Sequence, residues 1–234
     1  MLNEYYNSMI KIPVYAIFVA GGSGTRMGGG TPKQFLELGG VPILQRSVEV
    51  FLEACGDARV IIVLPERCME LWRNLCIKYA ASFPQTLVHG GMTRFHSVQN
   101  ALAKVPDGAI VSVHDAVRPL VTPGLIGTMI EKMLSPGGPQ ALIPVVPVTD
   151  TLRSTAPGTP APDRSTLVAV QTPQMFRSEI LKKAYRQPYD TSFTNDASVA
   201  ERSGVRIDTV PGERFNIKIT TPDDMQLARL LLNL

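Results

Sequence analysis

Residues 20–33 combine many glycines with two basic side chains, and this combination suits phosphate chemistry. The segment reads AGGSGTRMGGGTPK, and six of the ten residues 21–30 are glycine. Backbone N–H groups of such a loop can turn toward a polyphosphate because no Cβ stands in the way, and Arg26 and Lys33 add positive charge. We therefore expect a phosphate-binding loop here. The alternative is a glycine-rich turn whose charges are incidental.

Two better-known glycine loops do not fit this segment. A dinucleotide-binding fingerprint needs glycine where Met27 stands, and an acidic residue about 20 positions later at the end of the next strand. In this chain the next strand is predicted to end near Leu64, which is much farther along than the fingerprint allows, so the required acidic residue is missing. The P-loop pattern Gly-x4-Gly-Lys-Ser/Thr occurs nowhere in the chain. An NAD-dependent oxidoreductase is therefore disfavoured.

A second polar group follows an almost wholly apolar run at residues 109–114. Asp115 stands where this predicted strand ends, and a carboxylate there suits Mg²⁺, which takes few protein oxygens and keeps phosphate and water as ligands. A turn or helix-capping aspartate is the alternative. We expect His114 to be packed, since the three histidines show no metal-ligand spacing. Arg118 either contacts phosphate or pairs with Asp115.

The elements that must position these residues follow an α/β pattern. Short β-branched runs alternate with longer amphipathic segments, which is typical of helices packed over a mostly parallel sheet. The predicted strands cover residues 14–20, 60–64, 86–89, 109–114, 141–146 and 205–210. The predicted helices cover residues 43–54, a segment from Thr93, residues 178–185 and 196–203, and a last segment from Pro222. We predict a single domain over residues 1–234, with residues 1–11 as a loose tail.

Residues 147–165 interrupt this pattern with four prolines among Ser and Thr. The stretch is too long for an ordinary connection and too irregular for a core element. Spacing alone leaves two interpretations open, a surface loop and an arm that packs on a second subunit.

Composition excludes several classes of protein. The formal net charge is +3, with 18% charged and 44% hydrophobic residues, so a disordered chain is excluded. No block of Lys or Arg predicts nucleic-acid binding, and no apolar run is long enough for a membrane helix. Three cysteines without C-x-x-C spacing predict a reduced, cytoplasmic compartment.

Separated motifs along the chain resemble those of one enzyme family. The loop, with PKQF at residues 32–35 and GVPI at 40–43, resembles sugar-nucleotide and polyol-phosphate nucleotidyltransferases. Further motifs narrow the resemblance to the 2-C-methyl-D-erythritol 4-phosphate cytidylyltransferases of the non-mevalonate isoprenoid pathway. They are GGMTRFHSV at residues 90–98, VHDAVRP at 113–119, DR at 163–164, QTPQ at 171–174, TNDAS at 194–198 and NIKIT at 216–220.

The resemblance implies a fold, a reaction and a partner. The fold would be a Rossmann-like, mostly parallel sheet flanked by helices with a protruding β-arm, as in nucleotide-diphospho-sugar transferases. The enzyme would transfer CMP from CTP to the polyol phosphate 2-C-methyl-D-erythritol 4-phosphate, with Mg²⁺ or another divalent cation as cofactor. The products would be 4-diphosphocytidyl-2-C-methyl-D-erythritol and pyrophosphate. The arm, residues 147–165, would reach across a homodimer into the neighbour's site.

The resemblance also implies roles for individual residues. The catalytic cations would be Arg26, Lys33 and Lys218. The nucleotide would be bound by Ala20, Gly21, Gly22, Ser23, Gly24, Gly91, Ser97 and Asp115, and Asp115 would also hold the metal. The acceptor would be bound by Thr151, Arg164, Thr172 and Arg118. Arg94 and His96 are interpreted as residues of the helix surface.

Two alternatives stay close to this family. A ribitol-5-phosphate cytidylyltransferase shares the loop, the Asp115 region and the Thr-Pro-Gln motif, but Asp163-Arg164 and the GGxxRxxS pattern favour methylerythritol phosphate. A catalytically silent binding subunit would have lost a cation or Asp115, and neither is lost.

Overall fold

In the computed structural model, which describes residues 12–22 and 30–232, a mostly parallel sheet forms the centre of the fold. The strands in the described ranges are β1 (Val14–Val19), β2 (Glu37–Leu38), β3 (Val41–Pro42), β4 (Arg59–Leu64), β5 (Gln85–His89), β6 (Ile110–Asp115), β7 (Ala141–Pro147), β8 (Val168–Val170), β9 (Gln174–Arg177) and β10 (Asp208–Pro211). The central sheet has the order β10-β7-β9-β6-β1-β4-β5, with β8 paired to β7, and β2 and β3 form a separate antiparallel pair. Within the central sheet, β9 runs antiparallel to β6 and β7, β8 runs antiparallel to β7, and the other neighbouring pairs are parallel.

Helices cover both faces of this sheet, which confirms the predicted α/β class. They are α1 (Ile43–Ala54), α2 (Glu66–Lys78), α3 (Arg94–Leu102), α4 (Pro123–Leu134), α5 (Ser178–Ala184), α6 (Asp196–Arg202) and α7 (Pro222–Leu232). Side chains of β1 alternate between the two faces. Ala16 and Phe18 pack with α1, α2 and α4, whereas Tyr15 and Ile17 pack with α3, α5 and α6. Strands buried on both faces hold their carboxyl ends in place. No helix in the described ranges is long and apolar enough to cross a bilayer.

The predicted arm lies outside this packed core. Strand β7 ends at Pro147, and β8 pairs back on it through Val145–Val170 and its neighbours. Nearly all residues between the two strands are exposed. Arg164 donates to the backbone oxygen of Thr149 at 2.6 Å, so the two sides of the arm contact each other.

Candidate active site

Most of the predicted site residues that the structure describes meet at the carboxyl ends of the parallel strands. A cavity of about 550 Å³ opens beyond β1, β4, β5 and β6. Its lining includes Ala20, Gly21, Gly22, Lys33, Gly91, Arg94, Ser97, Asp115 and Lys218. A smaller cavity of about 160 Å³ adjoins it and contains Arg118 and Thr172. Arg94, Asp115 and Lys218 line both cavities. A separate hollow of about 690 Å³ lies at the amino ends of β1, β4 and β5 and contains no predicted site residue.

The start of the glycine-rich loop is held by backbone and side-chain bonds. Ala20 donates its N–H to Val63 O at 3.0 Å, and its carbonyl oxygen accepts from Nε2 of buried Gln34 at 2.7 Å. Gly21 and Gly22 follow as exposed residues that line the larger cavity. The predicted contacts of Ser23, Gly24 and Arg26 fall outside the described residues and stay predictions.

A second glycine-containing segment, Gly90-Gly91, is fixed by buried Ser97. The Ser97 hydroxyl donates to Thr93 O at 2.9 Å and accepts from the Gly91 N–H at 3.0 Å. A Cβ added to Gly91 would lie 2.4 Å from Cβ of His96, so this segment approaches helix α3 too closely for any side chain. This arrangement places the glycine pair and the N-terminus of α3 against the cavity.

Asp115 lies among three basic side chains. Its Oδ2 is 2.9 Å from Nζ of Lys218 and 3.6 Å from Nε of Arg118, and its Oδ1 is 3.7 Å from Nε of Arg94. Burial raises the pKa of this carboxyl, but the neighbouring Arg94, Lys218 and Arg118 together outweigh burial and hold the pKa well below its usual range. Asp115 is therefore an ionised carboxylate with a side chain only 10% exposed.

His114 is packed, as predicted, and it fixes the backbone of Asp115. Burial lowers the pKa of His114 to about 4, so the ring is neutral at pH 7. Its Nε2 lies 3.2 Å from the backbone oxygen of Arg118, which can only accept, and therefore Nε2 carries the proton. Nδ1 then accepts from the Thr172 hydroxyl at 3.0 Å, and that hydroxyl accepts from the Asp115 N–H at 3.1 Å.

Residues near the C-terminus close the site from the far side. Nζ of Lys33 donates to Ile219 O at 3.0 Å, directly beside Lys218. Arg118 donates to Asn216 O at 2.7 Å, and Asn216 donates to the backbone oxygen of Thr172 at 2.9 Å. These bonds bring together cations from separate parts of the chain.

Arg94 lines both cavities of the candidate site, a position that the sequence analysis did not predict. Instead of lying on the helix surface, it lies between two carboxylates, with Nη2 2.6 Å from Asp196 and Nε 3.7 Å from Asp115. Thr93 caps helix α3 by accepting from the His96 N–H. A recognisable helix start directly after a glycine pair is the signal that could have placed Arg94 at the mouth of the cavity.

The arm residues are not brought to this site. Thr151 and Arg164 are exposed and line neither of the two cavities around Asp115. Arg164 instead borders a separate hollow of about 540 Å³ along the arm.

The described residues fit a magnesium ion that is held mainly by substrate. They contain no group of three or more His, Cys, Asp or Glu side chains arranged around a metal. Asp115 offers a single ionised carboxylate, and Mg²⁺ is commonly held by one or two carboxylates together with substrate phosphates and water. The donor set therefore suits an ion that arrives with a nucleotide.

Comparisons with known proteins point to one family. The model of the family described as IspD, 2-C-methyl-D-erythritol 4-phosphate cytidylyltransferase, matches residues 14–234. The relative of that name from Porphyromonas gingivalis is 48% identical over 220 residues, covering 93% of this chain and 97% of the relative. The relative from Phocaeicola vulgatus is 44% identical over 219 residues, covering 93% and 99%. A solved structure of that name from Thermus thermophilus is 30% identical with a TM-score of 0.73, covering 95% of this chain and 100% of that one.

Proposed function

Because the chain belongs to the 2-C-methyl-D-erythritol 4-phosphate cytidylyltransferase family, we propose that the two cavities around Asp115 are the site of its reaction. The reaction transfers CMP from CTP to 2-C-methyl-D-erythritol 4-phosphate and releases pyrophosphate. One observation supports placing the reaction at this site. The ionised carboxylate of Asp115 lies among Arg94, Arg118 and Lys218, where the larger and the smaller cavity meet. The larger cavity suits the nucleotide and the smaller suits the acceptor phosphate.

The chemistry requires positioning and charge more than proton transfer. A phosphate oxygen of the acceptor attacks the α-phosphorus of CTP in line, and pyrophosphate leaves. No general base is needed, since an ionised phosphate is already a nucleophile. Lys33 and Lys218 are the proposed catalytic cations of the described residues, and they stabilise the charge on the phosphoryl oxygens as it develops. Arg26 is the third proposed cation.

Asp115 is the proposed magnesium ligand. A divalent cation bound there would neutralise phosphate charge and orient the triphosphate. Lys218 and Arg118 keep the Asp115 carboxylate ionised and oriented.

The cytosine edge is proposed to meet Ala20, Gly21, Gly91 and Ser97. All four line the larger cavity, and the Gly91 N–H donates to the Ser97 hydroxyl. A pocket built around the exocyclic amine of cytosine leaves polar groups unpaired when uracil enters. CTP is therefore the preferred nucleotide.

The acceptor is proposed to bind in the smaller cavity of a homodimer. Arg118 and Thr172 line that cavity. Thr151 and Arg164 lie on the exposed arm and would serve the neighbouring subunit, which explains why they stay apart from Asp115 of their own chain. Leu152, Val168 and Val170 of the arm region are exposed apolar side chains that a second subunit would cover. The proposed location is the cytoplasm, on the basis of cysteine usage.

A four-way assay tests the function. Purified protein with Mg²⁺ receives CTP or UTP, each with 2-C-methyl-D-erythritol 4-phosphate or ribitol 5-phosphate, and pyrophosphate release is measured. We expect CTP with methylerythritol phosphate to be turned over at least about 10²-fold faster than any other combination, since a missing hydrogen-bond partner in a built pocket is strongly selected against. Equal turnover of CTP and UTP contradicts the assignment of the base pocket. Faster turnover of ribitol 5-phosphate contradicts the assignment of the acceptor.

A further inference from the structure

Asp196, the first residue of α6, is a wholly buried carboxylate that the proposed mechanism does not use. Its Oδ2 accepts from Nη2 of Arg94 at 2.6 Å, and its Oδ1 accepts from the hydroxyl of buried Tyr185 at 2.6 Å. Buried charges are costly unless paired and hydrogen-bonded, and each oxygen of Asp196 has a partner. This carboxylate therefore binds one end of Arg94 in a single orientation.

Arg94 reaches from this buried pair to the substrate side of the site. Its side chain is 29% exposed, and it lines both the larger and the smaller cavity. Burial lowers the pKa of Arg94, but the carboxylates of Asp196 and Asp115 together raise it above its ordinary value, so the guanidinium stays charged. A partly exposed, fixed guanidinium at the boundary of the cavities can meet phosphate oxygens of either substrate.

An aromatic stack supports the same arrangement. Phe95 follows Arg94, and its ring stacks on Tyr185 with centroids 4.6 Å apart and on Phe193 with centroids 5.6 Å apart. The stack joins the start of α3 to the segment that precedes Asp196. The backbone that carries Arg94 and the backbone that carries its partner are thus packed together.

Asp196 also competes with Asp115 for the charge of Arg94. Nη2 is at hydrogen-bond distance from Asp196, whereas Nε is 3.7 Å from Asp115, which is beyond that distance. Without the charge of Asp196, the guanidinium would be drawn onto Asp115, and its N–H groups would be taken up by that carboxylate instead of facing substrate phosphate.

We propose that Asp196 and Tyr185 are positioning residues of the transfer reaction, which hold the guanidinium of Arg94 at the boundary of the two cavities to bind substrate phosphate and keep it off Asp115. The proposal rests on the proposed function, since it assigns phosphate binding to Arg94. The proposed role of Asp196 differs from that of a merely structural ion pair, because the effect of Asp196 on catalysis must depend on the presence of Arg94.

A double-mutant cycle tests that dependence. The variants are Asp196→Asn, Tyr185→Phe and Arg94→Ala, the double variant of Asp196→Asn with Arg94→Ala, and the combination of Tyr185→Phe with Arg94→Ala. For each, kcat and KM are measured for both substrates, and thermal unfolding is measured in parallel. We expect Asp196→Asn to lower kcat/KM about 10- to 100-fold in the otherwise wild-type protein, the range for removing one member of a coupled pair. In the Arg94→Ala protein the same change should cost less than about twofold.

The unfolding temperature should recover in the double variant, unlike kcat/KM. Arg94→Ala leaves Asp196 buried without its cation and should lower the unfolding temperature, and adding Asp196→Asn should recover part of that loss while activity stays at the level of Arg94→Ala. The matched control is Asp107→Asn, which breaks the 2.6 Å pair between Asp107 and Lys182, where the Asp107 side chain is 70% exposed. It should leave kcat/KM unchanged.

Several results would overturn the proposal. Multiplicative losses of kcat/KM from Asp196→Asn and Arg94→Ala would show that Asp196 acts independently of Arg94, and activity that rises with unfolding temperature in the double variant would show a structural role. If Asp196→Asn fails to fold, Tyr185→Phe replaces it in the test, since this change removes only one hydroxyl. A decrease in kcat/KM of about threefold or more that vanishes in the Arg94→Ala background supports the proposal. An unchanged kcat/KM refutes it. Failure of the proposed function itself would instead appear as an inactive wild-type protein.

Discussion

Replacing Asp115 by Asn tests the centre of the site, because this change keeps the shape of the side chain and removes its charge. Three cations then surround a neutral amide: Lys218, Arg118 and Arg94. We expect the protein to stay folded but to lose activity, since the proposed magnesium ligand is gone.

The loss of stability follows from the distances and exposures. At an effective dielectric constant near 20, each pair at about 3–4 Å is worth roughly 4 kcal/mol before solvation is considered. Lys218 is 44% exposed, which reduces its share to about 1 kcal/mol, and Arg94 shares its charge with Asp196. Desolvation of the carboxylate offsets much of the remainder. We therefore expect Asp115→Asn to lower the free energy of unfolding by about 1–3 kcal/mol.

Catalysis should be affected far more than folding. Loss of an electrostatic group at the reacting phosphate lowers kcat by roughly 10² to 10³. Pyrophosphate release, measured over a titration of Mg²⁺, and unfolding in urea give the two quantities separately. Asp107→Asn is the control, since it breaks an exposed ion pair far from the cavity and should cost less than about 1 kcal/mol.

The pH dependence of stability gives an independent check on the charge of Asp115. Its pKa is lower in the folded protein than in the unfolded chain, so its contribution is present above about pH 4 and is lost as the pH falls toward the folded value. The difference in stability between wild type and Asp115→Asn should therefore shrink between about pH 4 and pH 2. A folded Asp115→Asn protein with wild-type turnover, or wild-type turnover that is unaffected by a chelator, would refute the role assigned to Asp115.

Three further predictions follow from the site and the arm. Lys33→Ala should lower kcat by about 10² or more with a smaller effect on unfolding temperature, and a variant that unfolds instead would favour a structural role. Mixing Arg164→Ala with Lys33→Ala protein under subunit exchange should restore about a quarter of wild-type activity, because half of the dimers are mixed and each has one intact site under two-fold symmetry; exchange confirmed by mass without any gain contradicts a shared site. Burial holds the pKa of His114 at about 4 instead of 6.5, so the wild-type protein should lose up to about 3 kcal/mol of stability as the pH falls from 6.5 to 4, and His114→Gln should show a shallower slope in metal-free urea titrations.

Local patterns in the sequence were enough to predict much of the sheet and several helix ends. The apolar runs at 14–20 and 109–114 became the buried strands β1 and β6. The last helix starts at Pro222 as predicted, and Thr221 caps it by accepting from the Asp224 N–H at 3.2 Å. These features depend on burial of neighbouring residues and on bonds within one turn, which the sequence displays directly.

Other elements lacked such a local signal. Helix α2 fully buries only Cys68, Met69 and Trp72, while its apolar residues Leu71 and Ile77 are exposed, so the sequence does not show one clear apolar stripe. Strand β9 has four residues and enters the sheet antiparallel between β6 and β7. Its place depends on which strands lie beside it, and a short run of residues does not encode that choice.

Residue types in local patterns were sufficient to predict a glycine-rich loop after β1, a carboxylate at the end of β6 and basic side chains near them. The ion pairs of Lys218 and Arg94 with the Asp115 carboxylate were not predictable in this way, because the two cations lie on opposite sides of Asp115 along the chain and meet it only in the folded protein. The same holds for the Thr172 hydroxyl, which bonds to His114 and to the Asp115 N–H. The physical reason is that these contacts are set by strand order and by packing between elements far apart in the chain, and neither leaves a periodic trace in the residues themselves.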